Sequence, residues 1–231
     1  HLGPVFYSKT DQELIPRIIF HQTNASSELA KHPDALDRTG EVHYRRLCKV
    51  LGEDTSRNEL AVSYVRELLE SNHHILCLTA SVDHVETFST YLSDALSVDV
   101  GVARGATKAN LRAKTIADHR VSVGTLDVAS EALNVPSLSA LIVLTPFGAR
   151  QHGNTLKQSI GRIQRKHEGK PHPVCVFLED ENIGFCIGLT RQLKRVLRSM
   201  EYTYERRNRP SPVSYTHLRA HETPEHLVCR L

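Results

Sequence analysis

The sequence predicts an α/β domain in which a parallel sheet is covered by helices on both faces. Short apolar runs of strand length alternate along the chain with longer stretches in which apolar residues recur at helical spacing. The 231 residues are 40% hydrophobic and 24% charged, which is the balance of an ordinary globular domain. Alternating strands and helices form parallel sheets with right-handed crossovers, so ligand-binding residues are expected in the loops that follow the strands.

These two periodicities predict the strands and helices in chain order. The predicted strands are Pro16–His21, Ile75–Thr79, Val98–Val102, Val121–Gly124, Leu138–Leu144 and Val174–Leu178. The predicted helices are Tyr44–Leu51, Val82–Leu96, Lys108–Asp118, Thr155–Gln164 and Asn182–Met200. A further helix is predicted to begin at Ser56, because Glu59 three residues later completes a capping-box pattern.

Composition narrows the class of protein only broadly. A formal net charge of +3 permits nucleic acid as a partner without demanding it. No apolar run is long enough to span a bilayer, so we expect a soluble, cytoplasmic protein with no membrane partner. The five cysteines include no C-x-x-C pair, and the histidines lack metal-ligand spacing. We therefore expect a reducing compartment, no disulfides and no metal site.

The most specific pattern is Gln158–Arg165, which reads QSIGRIQR. On a helix, Gln158, Arg162 and Arg165 would share one face, and Gly161 would let a neighbouring backbone approach. Two guanidinium groups on one face form a fork for phosphate oxygens, although a solvated basic face is the other interpretation. The pattern Q-x-x-G-R-x-x-R resembles motif VI of superfamily 2 helicases. That resemblance implies that Arg162 and Arg165 are catalytic arginine fingers and that Gln158 binds ATP.

A second segment, Val123–Pro136, is a strand followed by a threonine-bearing loop and Asn-Val-Pro. It is similar to motif V of the same family. The resemblance implies that Thr125 contacts nucleic-acid phosphates and that Glu131 and Asn134 lie at the ATP. Two departures from the family pattern weaken the expected coupling between nucleic acid and ATP. Ala132 stands where glycine is usual, and Asn134 stands where aspartate is usual.

A third segment, Ile75–Thr79 with the helix after it, resembles motif IV. Relatives often carry Asp-Arg where Ala80-Ser81 stand. His84 matches a histidine frequent in this branch, and a buried packing histidine is the alternative interpretation. After the strand Val98–Val102, the resemblance implies nucleic-acid contacts by Gly105 and Lys108, and Arg112 also fits.

The resemblance covers roughly 3–209. It identifies the chain as the C-terminal RecA-like domain of a superfamily 2 DEAD/DEAH-like helicase of the XPB-type, phage DNA-remodelling branch. It implies ATP and Mg²⁺ as cofactors, bound mainly by a first motor domain. The implied partners are that N-terminal RecA-like domain of the same polypeptide and a nucleic acid, which we expect to be DNA. The sequence contains no G-x-x-x-x-G-K-[ST] loop, so we expect no ATP hydrolysis by this chain alone.

Two polar segments near the end of this region have competing interpretations. Glu179–Asn182 mimics an acidic metal-binding box but follows motif VI, so we expect Asp180 or Asn182 to cap the next helix. That helix carries an apolar stripe and a basic stripe, and the basic one is either a solvated face or a phosphate-binding surface. The basic stripe comprises Arg191, Lys194, Arg195 and Arg198, continued by Arg206, Arg207 and Arg209.

We expect three regions along the chain. Residues 1–56 are predicted to be linker and an N-terminal extension from the missing first motor domain, and residues 57–209 the helicase C-terminal domain. The segment 213–231 resembles the translation of a transposon-end sequencing adapter, so we expect it not to be native; a natural disordered tail is the alternative. The chain opens with His1 instead of Met, so we expect a fragment.

Other functions remain open at this stage. A non-catalytic nucleic-acid-binding or degenerate helicase-like module is suggested by Ala132 and Asn134. The motor part of a restriction or chromatin-type translocase would share these motifs. A sugar-nucleotide transferase fits the sheet but not Q-x-x-G-R-x-x-R.

Overall fold

The computed structural model describes residues 14–130, 135–147 and 157–208. In that part of the chain seven strands, all paired in parallel, form one sheet in the order β3-β4-β2-β5-β6-β1-β7. The strands are β1 (Arg17–Gln22), β2 (Ile75–Thr79), β3 (Val100–Ala103), β4 (Val121–Thr125), β5 (Ala140–Val143), β6 (Val174–Glu179) and β7 (Glu205–Arg207). The predicted fold class, an α/β parallel sheet, is confirmed.

Six α-helices lie in the described residues. They are α1 (Tyr44–Gly52), α2 (Thr55–Glu70), α3 (Val82–Leu96), α4 (Ala109–Asp118), α5 (residues 157–163) and α6 (Gly184–Ser199). None of the helices in this part of the chain is long and apolar enough to cross a membrane.

The sheet is buried on both faces, as β2 illustrates. Leu76 and Leu78 belong to a cluster with residues of α4, α5 and α6, whereas Ile75 and Cys77 belong to a cluster with residues of α2 and α3. Successive side chains of a strand point to opposite faces, so a run without polar breaks suits a strand covered on both sides.

Most predicted bounds agree with the structure to within two residues, but the predicted cap of α2 is wrong. α2 begins at Thr55, and Asp54 is its N-cap, with the carboxylate accepting a 2.9 Å hydrogen bond from the Arg57 backbone N–H. Ser56 instead donates its hydroxyl to Asp54, so the predicted capping box of Ser56 and Glu59 is wrong.

The first described residues belong to the same sheet as the rest. β1 lies between β6 and β7 and pairs with both. β7 was not predicted, because its three residues are all charged and carry no apolar signal. Arg17 of β1 donates a 2.8 Å hydrogen bond to Glu205 at this edge. Residues 14–56, interpreted from sequence as linker and extension, thus contribute a strand and α1, and the domain boundaries stay a prediction.

A buried ion pair joins α2 to the end of β6. The Arg57 guanidinium bonds both oxygens of Asp180, at 2.8 and 3.1 Å, and neither side chain is exposed to solvent. Arg57 also donates to the carbonyls of Leu51 and Leu144. The Asp180 carboxylate is therefore buried and fully engaged by Arg57.

The predicted cap of α6 is wrong for that reason. The N-cap is Ile183, which makes no side-chain capping bond. Asn182, the other predicted cap, donates its amide to the carbonyl of Ala25, 3.1 Å away.

Candidate functional site

A cleft of about 720 Å³ opens at the carboxyl ends of β2, β3 and β4. Loops after adjacent parallel strands meet at one edge of a sheet, which is where such folds bind ligands. The lining residues are His43, Tyr44, Arg45, Ala80, Val82, Arg104, Gly105, Ala106, Thr125, Leu126 and Asp127. The structure thus brings two predicted nucleic-acid-binding residues, Gly105 and Thr125, into one cleft.

Thr125 and Gly105 offer different binding groups. Thr125 is 8% exposed and lines the cleft, and its hydroxyl makes no hydrogen bond within the described residues. A Cβ added at Gly105 would meet no atom within 4 Å, so the side of this backbone on which a side chain would project is open in the described chain. A hydroxyl and an uncovered stretch of backbone are groups that commonly contact phosphate oxygens.

Arg112 shapes the loop that carries Gly105. It is buried, and its guanidinium donates to the carbonyl of Gly105 at 2.6 Å and also to the carbonyls of Thr107 and Arg104. Lys108, the third predicted nucleic-acid contact, is exposed at the N-cap of α4 and does not line the cleft. Arg112 is thus a positioning residue, whereas Lys108 presents its charge to solvent.

Helix α5 carries two of the predicted nucleotide-site residues. Ile160 and Ile163 are buried in the core, and at 100° per residue Gln158 and Arg162 lie on the opposite side of the helix. Gln158 is exposed and Arg162 is half-buried.

Arg165 does not share that helical face, so this part of the prediction is wrong. The helix ends at 163, and Arg165 follows in a turn in which its backbone N–H bonds the Arg162 carbonyl at 3.2 Å. The side chain of Arg165 is exposed. The close backbone approach expected at Gly161 is also absent from the described residues, since an added Cβ would meet nothing within 4 Å.

Lys170 is a residue whose position sequence reasoning missed. Its ammonium donates to the carbonyls of Arg165, at 2.9 Å, and Pro136, at 3.1 Å. Burial, reinforced by the nearby Arg165 charge, lowers the pKa of Lys170 to about 8. The two motif segments are therefore joined by one side chain. No spacing in the sequence signals this bridge.

His84 is a packing residue. It is 3% exposed and lies between Thr79 and Asn58, with nitrogen–oxygen distances of 3.0 and 3.1 Å. Burial, with a smaller effect of the Arg57 charge, lowers the pKa of His84 to about 3, so the ring is neutral. Of the two interpretations of this histidine, the structure supports the buried one.

Part of the basic stripe of α6 is engaged within the chain. Lys194 bonds Glu179 at 2.5 Å, and Arg198 bonds the Tyr204 hydroxyl at 2.8 Å. Arg206 pairs with Glu179 and Glu181. Arg191 and Arg195 are exposed and make no ion pair in the described residues, so the structure leaves both interpretations of the stripe open.

Some sequence-predicted features fall outside the described residues. Glu131 and Asn134, the other predicted ATP-binding residues, lie in 131–134, and Arg209 lies beyond 208. Within the described ranges, no group of three or more His, Cys, Asp or Glu side chains could hold a metal ion. The four cysteines described there are buried and free, and burial raises the pKa of Cys48 to about 12.

Comparison with known proteins finds sequence similarity to helicases. Residues 60–167 match the family described as the helicase conserved C-terminal domain. The "Putative ATP-dependent RNA helicase" of Acanthamoeba polyphaga mimivirus is 23% identical over 184 residues, which cover 78% of this chain and 34% of that protein. The chain spans about a third of the length of the curated relatives it matches.

Two solved structures have the same fold. T4 UvsW superposes with a TM-score of 0.61 at 15% identity, covering 83% of this chain and 41% of that chain. S. cerevisiae Dbp5 bound to RNA and ADP BeF3 superposes with a TM-score of 0.54 at 12% identity, covering 86% and 42%. The chain has the RecA-like α/β fold of helicase C-terminal domains.

Proposed function

We propose that this chain is the second RecA-like motor domain of an ATP-dependent superfamily 2 helicase or translocase. The observation that carries the proposal is the match over 60–167, which contains both the cleft residue Thr125 and the pattern Gln158–Arg165. The parallel sheet, which superposes on those of T4 UvsW and Dbp5, supports the same fold. Within this family we assign the chain to the XPB-type, phage DNA-remodelling branch.

The proposed nucleotide role belongs to Arg162, Arg165 and Gln158. Guanidinium groups are permanently charged and suit phosphate oxygens, and Gln158 and Arg162 lie on the side of α5 that faces away from the core. Arg162 and Arg165 would stabilise charge on the transferred phosphoryl group of an ATP held mainly by the first motor domain. When bound, ATP supplies the phosphoanhydride bond whose hydrolysis drives the motor.

Mg²⁺ would be bound together with the ATP, mainly by the first motor domain. Glu131 and Asn134 would contact the ATP from the motif V segment. The N-terminal RecA-like domain of the same polypeptide is therefore the proposed partner across the nucleotide site.

The proposed nucleic-acid role belongs to the cleft. Thr125 and Gly105 would contact the sugar-phosphate backbone, and the exposed Lys108 would add a charge beside the same loop. Contacts of this kind bind without reading sequence and weaken as salt rises. We expect DNA as the substrate; the Dbp5 structure is bound to RNA, so both nucleic acids belong in the test.

The experiment is titration of this chain with fluorescent single-stranded DNA and RNA, together with an ATPase measurement. We expect binding that weakens steeply between 50 and 200 mM salt, as about one counterion is released per phosphate contact. Thr125→Ala and Lys108→Ala should weaken it, and the chain alone should not hydrolyse ATP. Absence of any salt-dependent binding would refute the nucleic-acid role. Nucleic-acid-stimulated ATP hydrolysis by this chain would refute the shared nucleotide site.

A further inference from the structure

The cleft has a second wall that does not come from the sheet. We propose that α1 forms this wall and that Arg45, with His43, grips the phosphodiester backbone of the nucleic-acid strand opposite Thr125. This inference rests on the proposed function, because it takes the cleft to be a nucleic-acid site. It adds binding residues from a segment in which none of the three motifs lies.

The side chains at the start of α1 are available to a ligand. His43 and Arg45 both line the cleft and both are exposed. Within the described chain the Arg45 guanidinium makes no hydrogen bond or ion pair. Arg46, which immediately follows, is instead bonded to the Leu36 carbonyl. One arginine of this pair thus braces the preceding loop, and the other projects toward the cleft.

The placement of α1 is fixed by contacts along its length. Tyr44 donates its hydroxyl to the Pro146 carbonyl at 2.9 Å, and Lys49 pairs with Asp83 of α3 at 3.2 Å. At the other end, the buried Arg57 donates to the Leu51 carbonyl at 3.1 Å. A wall that is already ordered loses little conformational entropy when a ligand binds.

The charges of the cleft favour an anion between the two walls. Arg45 lies in the first turn of α1, where the helix dipole adds partial positive charge, and His43 makes no capping bond there. The Nη2 of Arg104, another lining residue, donates a 2.6 Å hydrogen bond to the carboxylate of Glu86. Asp127 is the one carboxylate among the lining residues in the described chain. Thr125 provides an independent indication of a ligand, because it is only 8% exposed and lines the cleft, and its hydroxyl has no hydrogen-bond partner in the described residues.

The test compares Arg45→Ala with the wild-type chain by fluorescence anisotropy on single-stranded DNA and RNA oligonucleotides across a salt series. Losing one phosphate contact on a single strand lowers the log–log salt slope by about 0.7, which corresponds to about fivefold weaker binding at 0.1 M salt and no loss near 1 M. Arg45→Lys should keep most of the affinity, whereas Arg45→Glu should lose more than Arg45→Ala.

Matched control variants distinguish this proposal from the proposed function on which it rests. Arg66 is exposed on α2 and does not line the cleft, so Arg66→Ala removes the same charge and should leave the slope unchanged. If Arg45→Ala behaves like Arg66→Ala while Thr125→Ala weakens binding, the role of α1 is wrong and the proposed function stands. If the wild-type chain shows no salt-dependent binding, both are wrong. Circular dichroism of each variant verifies that the fold is retained.

Discussion

Replacing Arg57 with methionine should destabilise the fold strongly. The substitution removes a guanidinium that bonds both oxygens of Asp180 and the carbonyls of Leu51 and Leu144 in an interior without solvent. Among its side-chain partners in the described residues, Asp180 would keep only the hydroxyl of Thr23, which donates to it at 2.5 Å. Removing one partner of a buried pair costs about 3–5 kcal/mol, because the other charge stays buried without compensation.

Urea denaturation followed by circular dichroism measures this loss. With a slope of about 2–3 kcal/mol per molar urea, the midpoint should fall by roughly 1–2.5 M. The double variant Arg57→Met with Asp180→Leu should be less destabilised than Arg57→Met, since no charge is left buried. Lys31→Met, which breaks an exposed pair with Glu28, is the control and should change the free energy of unfolding by less than about 1 kcal/mol. A loss below about 1 kcal/mol for Arg57→Met would refute the reasoning.

Two further predictions concern the contact between α1 and α3. The pKa of His84 is about 3 in the folded chain, below its ordinary 6.5, so the unfolded chain takes up the proton first as pH falls. The free energy of unfolding should therefore be about 2 kcal/mol lower at pH 5 than above pH 6.5. His84→Gln should remove that part of the pH dependence in urea titrations at pH 7 and 5, and an unchanged dependence would contradict the assignment. Gly52→Ala would place a Cβ 2.7 Å from the His84 ring, so thermal unfolding should show a loss of about 1–3 kcal/mol despite the higher helix propensity of alanine. An unchanged melting temperature would show that the ring moves freely.

The sequence predicted the fold well wherever local pattern and tertiary structure agree. β2 and α3 have the predicted bounds, because an apolar run buried on both faces and an amphipathic helix have distinct periodicities. β7 was missed, since its three charged residues pair at an edge without apolar burial. Asp180 was interpreted as a helix cap, whereas its partner Arg57 lies 123 positions away, and no local pattern indicates such a pairing.

The site was predicted in part for the same reason. Gly105 and Thr125 follow adjacent strands, so the topology of a parallel sheet was enough to place them together. The loss of Arg165 from the shared helical face was not predicted, although the predicted helix Thr155–Gln164 already ends before that residue. The turn is held by Lys170, whose bond to the Arg165 carbonyl only the folded chain reveals. The wall formed by α1 likewise depends on contacts that are distant in sequence.

The most direct test of the proposed motor role is ATP hydrolysis by the complete protein that contains this chain. Arg162→Ala and Arg165→Ala are each compared with Lys166→Ala, a neighbouring exposed cation. If the two arginines stabilise phosphoryl transfer, each variant should lose a factor of about 10³ or more in turnover and keep its affinity for nucleic acid, while Lys166→Ala remains near wild type. Hydrolysis at the wild-type rate by Arg162→Ala and Arg165→Ala would contradict the account.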